Sequence, residues 1–592
     1  MRLKDALSNI HKEHADDPLI QLTTTWGEKL DKERVWQEYP RPQLQRKHFQ
    51  MLHGEWDYAI VPKNDKYLFK SQGKILVPFS PETFLSGVGR QLLPNEYLWY
   101  QRILNFTKEE CRRKENKERC ILHFDAVDQQ AVVYLNGVEV AKHYGGYLPF
   151  EVDITEYVSE VPCTLQVRVQ DDSDTSYHTR GKQTLKRGGM FYTAQSGIWQ
   201  SVWYEWVPGN YIKRLKITPV YDEACVRITI DSEKELELLH VELEDKGAFY
   251  EVSNFGNEIL IRFQNGKFKT WSPEEPNLYY FSLKADEDEI RSYFAMRSFT
   301  VEKDEKGTPR FCLNHKPYFL NGLLDQGYWP DGLMTAPCDE AFIYDIELAK
   351  RTGFNMIRKH IKIEPLRWYY HCDRLGMIVW QDMVNGGTTY NMMWACYMPT
   401  GVPILGRIMK DNLYGIFARK SEEGRKLWEE ECKGTIEHLY NVPSIATWVP
   451  FNEAWGQFDA ARVANDIKNQ DSTRTVDHAS GWFDQKAGDF NSVHNYFRKL
   501  KVEKDEKRAF VISEYGGYAC HIEGHSSVER VFGYKKFDTL DDVSNAYKNL
   551  YEGQVIPLIE KGLSGVVYTQ LSDVEEEVNG IVTYDRKVVK IQ

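Results

Sequence analysis

The sequence predicts three domains: an antiparallel β-sandwich at residues 1–208, an immunoglobulin-like sandwich at residues 209–302 and a (β/α)8 barrel at residues 303–592. Three observations support this prediction. Short β-rich runs separated by polar turns fill the first part of the chain, the pattern repeats over the second part, and apolar strands alternate with helical stretches in the third. The length of 592 residues is itself typical of two to four domains.

The first domain is predicted from short strands with no long helical period between them. β-branched and aromatic residues dominate these runs, and Asn136-Gly137 and Gly145-Gly146 are turn signals. A charge-rich stretch at residues 108–119 is interpreted as a solvated turn between strands. The predicted strands are residues 120–127, 131–135, 164–169 and 200–206.

Pro208-Gly209-Asn210 is a turn signal that marks the end of this domain. The alternating runs that follow are short, which is typical of a small immunoglobulin-like sandwich. They include residues 213–217, 225–230 and 258–263.

After Pro317 short apolar strands alternate with helical stretches. Continuous apolar strands are typical of a parallel sheet buried on both faces, and eight of them separated mostly by helices predict a (β/α)8 barrel. The predicted strands are residues 318–324, 355–358, 377–382, 445–453, 475–479, 493–496, 510–514 and 565–570, with helices near 339–351, 365–375 and 422–440. Residues 383–420, rich in Gly, Met and aromatic residues, are predicted to form a loop over the barrel mouth.

Composition argues against several classes of protein. Hydrophobic residues make up 42% and charged residues 27%, as in globular proteins, and the net charge of −12 argues against a nucleic-acid partner. No apolar run approaches the ~18 residues of a membrane span, and residues 1–19 lack the apolar core of a signal peptide. The 10 cysteines are scattered, as expected for reduced thiols. We therefore expect a cytoplasmic protein without a membrane partner, and the sequence leaves a homo-oligomer open.

Two predicted barrel strands end in a glutamate. Active sites of such barrels lie at the C-terminal ends of the strands, where Glu453 closes the fourth strand and Glu514 closes the seventh. A single glutamate at a strand end is often only solvent-facing or salt-bridged. Two that point into one mouth can protonate a leaving oxygen and attack or activate water, which is the chemistry of glycosidic-bond hydrolysis.

Other strand ends supply partners for these carboxylates. Arg358 ends the second strand, where a guanidinium could keep a nucleophilic carboxylate ionised or form a salt bridge in the barrel wall. Tyr496 could hydrogen-bond the nucleophile, and His494 beside it could equally be structural. Asp382 ends the third strand, and the Trp455 ring is either a platform for a sugar or part of a core.

No residue pattern predicts a metal or a cofactor. The His521-Ile522-Glu523-Gly524-His525 string differs from the zinc motif HExxH and lies in a loop instead of a helix. A P-loop, a GxGxxG motif and a serine nucleophile elbow are absent from the sequence. The sequence therefore requires no cofactor, and no diagnostic spacing supports a Mg²⁺ or Na⁺ ion.

Motifs in all three domains occur in the order of a known family. They are residues 52–56 (LHGEW), 135–137 (LNG), 143–147 (HYGGY), 196–203 (SGIWQSVW), 271–279 (WSPEEPNLY), 353–358 (GFNMIR), 452–453 (NE) and 513–516 (SEYG). With these motifs the chain resembles glycoside hydrolase family 2, the family of β-galactosidases, β-glucuronidases and β-mannosidases. The resemblance covers nearly the whole chain and implies that the first domain is a sugar-binding jelly roll.

The resemblance also implies a retaining, exo-acting β-glycosidase with a carbohydrate substrate as its partner. Glu453 would be the acid/base and Glu514 the nucleophile. Asn452 would bind the 2-hydroxyl group of the sugar, and Arg358 and Tyr496 would support the nucleophile. Retention requires carboxyl groups about 5–5.5 Å apart, which a structure can test.

The chain departs from the family where the sugar is selected. Glucuronidases carry an Asn-x-Lys motif that binds the uronate carboxylate, whereas the corresponding stretch here is Glu577-Val578-Asn579, and a glutamate would repel that carboxylate. The His-Tyr-Pro that follows the arginine in galactosidases is replaced by His360-Ile361-Lys362, and the Trp-Gly-Gly run of mannosidases is absent. We expect β-galactosidase-like activity first, with a β-mannosidase, an α-L-arabinosidase or a catalytically silent carbohydrate-binding protein as alternatives.

Overall fold

A computed structural model describes residues 18–64, 69–401, 405–533 and 535–591. The first domain is the predicted jelly roll, a sandwich of two antiparallel sheets. The strand Cys163–Gln170 buries every second side chain, and the buried apolar side chains of the two sheets meet in one core. Across the sheets, the order is Phe49–Met51, Val202–Val207, Arg119–Phe124, Phe150–Asp153 in one and Gly73–Val77, Gly54–Pro62, Glu96–Leu104, Cys163–Gln170, Gln130–Leu135, Val138–Tyr144 in the other. Two short pairs are Val127–Asp128 with Gly197–Ile198 and Gln183–Thr184 with Tyr192–Thr193.

The charged stretch at residues 108–119 is not the expected turn, because the α-helix Lys108–Glu115 occupies most of it. Thr107 begins this helix with a capping box: its hydroxyl accepts the Glu110 N–H at 3.2 Å, and the Glu110 carboxylate accepts the Thr107 N–H at 2.7 Å. The helix buries none of its residues. Its charge is therefore a solvated helix surface instead of a solvated turn.

The second domain is an immunoglobulin-like sandwich of seven strands, as predicted. Its first, second, fifth and fourth strands form one sheet, and its third, sixth and seventh strands form the other, which is the arrangement of constant-type immunoglobulin domains. In chain order the strands are Arg214–Val220, Cys225–Asp231, Leu239–Leu243, Tyr250–Phe255, Glu258–Phe263, Tyr279–Ala285 and Asp288–Phe294.

The third domain is the predicted (β/α)8 barrel, and its strands coincide with the eight predicted runs. They are β1 Leu320–Asp325, β2 Met356–Lys359, β3 Ile378–Asp382, β4 Ile445–Val449, β5 Thr475–Val476, β6 Phe490–Asn495, β7 Ala509–Gly516 and β8 Leu563–Thr569. Parallel ladders join consecutive strands and close β8 onto β1. Between β5 and β6 no ladder forms among the described residues, but the Asp489 N–H donates to the Val476 carbonyl at 2.8 Å.

The barrel interior is apolar and closed at its N-terminal end. Trp380 and Val567 share one buried cluster with Phe311, which stacks on Phe490 at the start of β6. Phe311 belongs to a small sheet of Phe299–Lys303, Pro309–Leu313 and Lys316–Pro317. A ligand therefore has access to the C-terminal end of the strands, where barrel active sites lie.

Helices surround the barrel, and the three predicted from sequence are present. The described α-helices beyond the first domain are Asp339–Arg351, Leu366–Leu375, Met398–Gly401, Leu405–Ile408, Glu422–Leu439, Ala460–Gln470, Leu540–Leu550 and Ile556–Ile559. Shorter turns are Gly27–Lys29, Thr155–Tyr157, Ser173–Thr175, Tyr221–Glu223, Gln264–Gly266, Met393–Tyr397 and Tyr551–Val555, and one further strand pair is Tyr518–Cys520 with Lys535–Phe537.

Residues 383–420 lie beside the barrel mouth, but they are not wholly a loop. They contain three helical turns, at Met393–Tyr397, Met398–Gly401 and Leu405–Ile408, and residues 402–404 lie outside the described part. Gly386 forms a β-bridge with Thr179 of the first domain.

Residues 1–17 also lie outside the described chain. They include most of residues 1–19, for which the sequence predicts no signal peptide. In the ranges that are described, no helix is both long and apolar enough for a membrane crossing.

Candidate active site

The ends of β4 and β7 bring the two predicted glutamates together. Glu514 lies within β7, and Glu453 follows shortly after β4. The chain leaves β4 through left-handed conformations at Glu453 (φ +46°) and Ala454 (φ +65°), which residues other than glycine seldom adopt. The Glu453 N–H donates to the Ser480 carbonyl at 3.0 Å. Unusual backbone conformations of this kind persist only where the surroundings fix them, and they cluster at functional sites.

The two carboxylates face each other across His494. One oxygen of each carboxylate and one nitrogen of the imidazole lie within 4.8 Å of one another. Nδ1 of His494 is 2.6 Å from Glu453 Oε1, and Nε2 is 3.6 Å from Glu514 Oε1. The indole N–H of Trp455 donates to the other oxygen of Glu453 at 3.3 Å. The predicted residues from β4, β6 and β7 therefore share one space.

Two donors fix Glu514. Arg358 Nη1 donates to Oε1 at 3.2 Å, and the Tyr496 hydroxyl donates to Oε2. The fully buried guanidinium of Arg358 is itself held by Asp382, through bonds of 2.9 and 3.0 Å, and by Asn452 Oδ1 at 2.8 Å. A single side chain on β2 thus connects the ends of β3, β4 and β7.

Electrostatics keep Arg358 charged. Burial lowers the pKa of this guanidinium, but Asp382 and Glu514 raise it by more, so that its net pKa lies above the ordinary value. Burial raises the pKa of Glu453, but His494, together with Lys182 and Trp455, lowers it below the ordinary value.

The structure brings all eight predicted site residues to this one mouth, and it shows what Arg358 and Trp455 contact there. Arg358 is both a salt bridge of the barrel wall and a contact of Glu514, so the two interpretations hold together. The Trp455 ring is buried against Phe191 and Tyr390, with centroids at 5.4 and 5.1 Å, while its N–H faces Glu453.

Several residues at the mouth were not predicted from the sequence. His360, two residues after Arg358, contacts Asp382 at 2.9 Å, and the rule that barrel chemistry lies at strand ends could have found it. Phe191, Lys182 and Tyr192 belong to the first domain, and no periodicity or spacing in the sequence connects them to the barrel.

The described residues contain one group of three potential metal donors, which consists of Glu453, His494 and Glu514. Arg358 and Tyr496 already occupy the oxygens of Glu514, and the guanidinium places a positive charge where a cation would bind. These donors fit proton transfer and nucleophilic attack better than metal binding. His521 and His525 are engaged elsewhere, with the Val528 carbonyl at 3.0 Å and with Asp585 at 2.7 Å.

Comparison with known proteins assigns the chain to a family. The model for glycosyl hydrolases family 2, sugar binding domain, matches residues 92–208, and the model for the TIM barrel domain of the same family matches residues 306–588. The chain belongs to glycosyl hydrolase family 2. The recognition of the family from sequence motifs is thereby confirmed.

Relatives of this family 2 protein carry two different activity names. A putative β-glucuronidase of Formosa agariphila is 25% identical over 481 residues, which cover 72% of this chain and 51% of the relative. A β-galactosidase of Thermoanaerobacter pseudethanolicus is 23% identical over 513 residues, which cover 82% of this chain and 63% of the relative. The family 2 chain therefore spans only about half to two-thirds of the length of these relatives.

Among solved structures, a β-D-glucuronidase from Dictyoglomus thermophilum is similar over 93% of this family 2 chain and 97% of its own, with a TM-score of 0.70 and 18% identity. At that identity the likeness concerns the fold alone.

Proposed function

We propose that this family 2 protein is a retaining exo-β-glycosidase that removes a terminal β-galactoside. The separation of the carboxylates carries the proposal, because oxygens of Glu453 and Glu514 lie within 4.8 Å of each other. Retaining enzymes place their carboxyl groups about 5–5.5 Å apart, whereas inverting enzymes need about 6.5–9.5 Å to admit a water molecule.

In the first step Glu514 attacks the anomeric carbon, and the glycosidic C–O bond breaks as Glu453 gives its proton to the leaving oxygen. In the second step Glu453 takes a proton from water, which attacks the same carbon and releases Glu514. Arg358 and Tyr496 hold the attacking carboxylate and stabilise the negative charge that returns to it.

The contact between Glu453 and His494 prepares this carboxylate for both steps. Nδ1 of His494 lies 2.6 Å from Glu453 Oε1, so the imidazole can pass a proton to Glu453 for the first step. After that proton is transferred, the ionised form that His494 favours is the general base that the second step requires.

Asn452 is oriented for sugar binding. Its Oδ1 accepts from Arg358 at 2.8 Å, so its Nδ2 remains to donate to the sugar 2-hydroxyl group. The β-galactosidase among the relatives supports a β-galactoside as the substrate.

A β-glucuronidase is the second candidate, supported by the putative β-glucuronidase among the relatives. Against it, Glu577 in the loop after β8 is buried without an ion pair to any described residue, and its carboxylate would repel that of a uronate.

A panel of nitrophenyl glycosides tests the substrate: β-galactoside, β-glucoside, β-mannoside, β-glucuronide, β-fucoside and α-L-arabinosides. We expect the β-galactoside to give the highest kcat/KM. A preference for another glycoside would correct the sugar, and no turnover of any would favour the carbohydrate-binding alternative.

Azide rescue tests the two roles. Glu453→Ala with azide should form the β-glycosyl azide, because azide enters from the face opposite to the covalent intermediate. Glu514→Ala with azide should form the α-glycosyl azide, because azide then replaces the nucleophile. Products with the opposite assignment would show that the roles are exchanged, and equal activity of both variants and the wild type would refute the mechanism.

A further inference from the structure

Residues 179–193 of the first domain cross the barrel mouth and form one wall of the site. Thr179 pairs with Gly386, Gly189 N–H donates to Glu576 at 2.9 Å, and the Phe191 ring packs on Trp455 at 5.4 Å. This segment therefore contacts the loops after β3, β4 and β8.

Lys182 lies in this segment, half-buried and without an ion pair to any described residue. Its Nζ is 5.6 Å from the centroid of the buried Tyr192 ring, and its carbonyl accepts the Tyr192 N–H at 3.0 Å. The hydroxyl of the same Tyr192 ring donates to Glu577. The neighbouring Phe191 packs on Trp455, whose N–H contacts Glu453, so the segment carries Lys182 into the mouth that holds both carboxylates. An ammonium group carries three donors and needs acceptors, which a ligand can provide.

Glu577 is fixed from the same segment. The Tyr192 hydroxyl donates to its Oε2, and Oε1 accepts no hydrogen bond from the residues that the structure describes. The side chain is buried, and the charges of Glu514 and Glu453 add to burial in raising its pKa. Through Tyr192 and the adjacent Phe191, which packs on Trp455 beside Glu453, Glu577 belongs to the same mouth, with one oxygen unused.

We propose that Lys182 donates to, and Glu577 accepts from, hydroxyl groups of the terminal sugar, so that the first domain helps to select a neutral hexopyranoside. This inference rests on the proposed glycosidase activity and specifies its substrate class. A uronate at this position would place a second carboxylate beside that of Glu577. A neutral sugar instead satisfies the free donors of Lys182 and the free acceptor of Glu577 without adding negative charge.

The test combines Lys182→Met and Glu577→Gln with monodeoxy forms of the best nitrophenyl glycoside. Lys186→Met is the matched control, because Lys186 is exposed in the same segment. Loss of a hydrogen bond to a charged group should lower kcat/KM about 10- to 150-fold for each variant, and Lys186→Met should leave it unchanged. When the deoxy substrate lacks the hydroxyl that the residue contacts, the loss of kcat/KM from the variant and the loss from the substrate should not multiply. When the deoxy substrate lacks a different hydroxyl, the two losses should multiply.

Several outcomes would overturn the proposal. Losses that multiply at every deoxy position would show that neither residue contacts a hydroxyl group. A uronide that is the best substrate and depends on Lys182 would show that the lysine binds a carboxylate. An unchanged thermal unfolding temperature is required of each variant, and Lys182→Arg, which keeps the charge, should retain more activity than Lys182→Met.

Calorimetry with free galactose separates this inference from the proposed function. If no glycoside is hydrolysed, the activity proposal fails, and galactose binding still decides the role of the pair. Binding by the wild type that is weakened at least tenfold in Lys182→Met and Glu577→Gln supports the pair. Equal binding by all variants, or none by the wild type, refutes it.

Discussion

Tyr496→Phe removes a single hydroxyl group next to the proposed nucleophile. That hydroxyl donates to Oε2 of Glu514, while Arg358 holds Oε1 at 3.2 Å. A hydrogen bond to a charged group is worth about 1.5–3 kcal/mol, and each 1.4 kcal/mol is a factor of about 10, so kcat/KM should fall about 10- to 150-fold. The loss should appear mainly in kcat, because the bond positions a reacting group more than it binds the sugar.

Steady-state kinetics of the purified variant on the best nitrophenyl glycoside measures this loss. Tyr551→Phe is the control, because the Tyr551 ring stacks on Tyr547 at 6.1 Å in the turn Tyr551–Val555, and this variant should keep wild-type kinetics. The ring of residue 496 remains in the variant, so its thermal unfolding should match the wild type. A kcat/KM within threefold of the wild type would refute the idea that this hydroxyl positions Glu514.

Three further predictions concern the same site and the barrel that holds it. Asp382→Ala should lower the free energy of unfolding in urea by about 3–5 kcal/mol, because it removes the carboxylate that holds the buried Arg358 through two hydrogen bonds and leaves Glu514 as its one ion-pair partner among the described residues. Burial raises the pKa of Asp339, but the partners Arg367 and His371 lower it to about 2. The ionised carboxylate should therefore contribute about 2 kcal/mol to the free energy of unfolding above pH ~4, and this contribution should be lost as pH falls towards 2. Unfolding of Asp339→Asn and wild type at both pH values measures that difference. His494→Gln should move the basic limb of the kcat/KM profile to higher pH, because burial then raises the pKa of Glu453 without opposition from the imidazole; an unmoved limb would contradict this.

The barrel and its strand-end residues could be predicted from the sequence because parallel barrels impose a simple rule. Apolar runs reveal the strands, and side chains at their C-terminal ends share one mouth whatever the details of the loops. Glu453, Glu514 and Arg358 were found in this way. The same rule extends to His360, which was quoted only as a departure from the family motif.

Other features depend on information that periodicity does not contain. The helix Lys108–Glu115 buries no residue, so it shows no apolar period; its only sequence signal is the Thr107–Glu110 capping box. The contact between Tyr192 and Glu577 joins residues 385 positions apart, and a single sequence offers no pattern that connects them. The side-chain contact between Glu453 and His494 depends on the left-handed conformations of Glu453 and Ala454, which neither residue type predicts.

Because residues 179–193 of the first domain form one wall of the barrel site, the order in which the protein is synthesised matters. Tyr192 and Glu577 are separated by 385 residues, so at about 5–20 residues per second the ribosome needs roughly 20–80 s between them. During that interval the first domain can fold, but its segment 179–193 cannot yet contact the loop after β8. The site is therefore completed only after the last barrel strand has been made, and a chain that stalls before β8 carries a finished first domain but no assembled pocket.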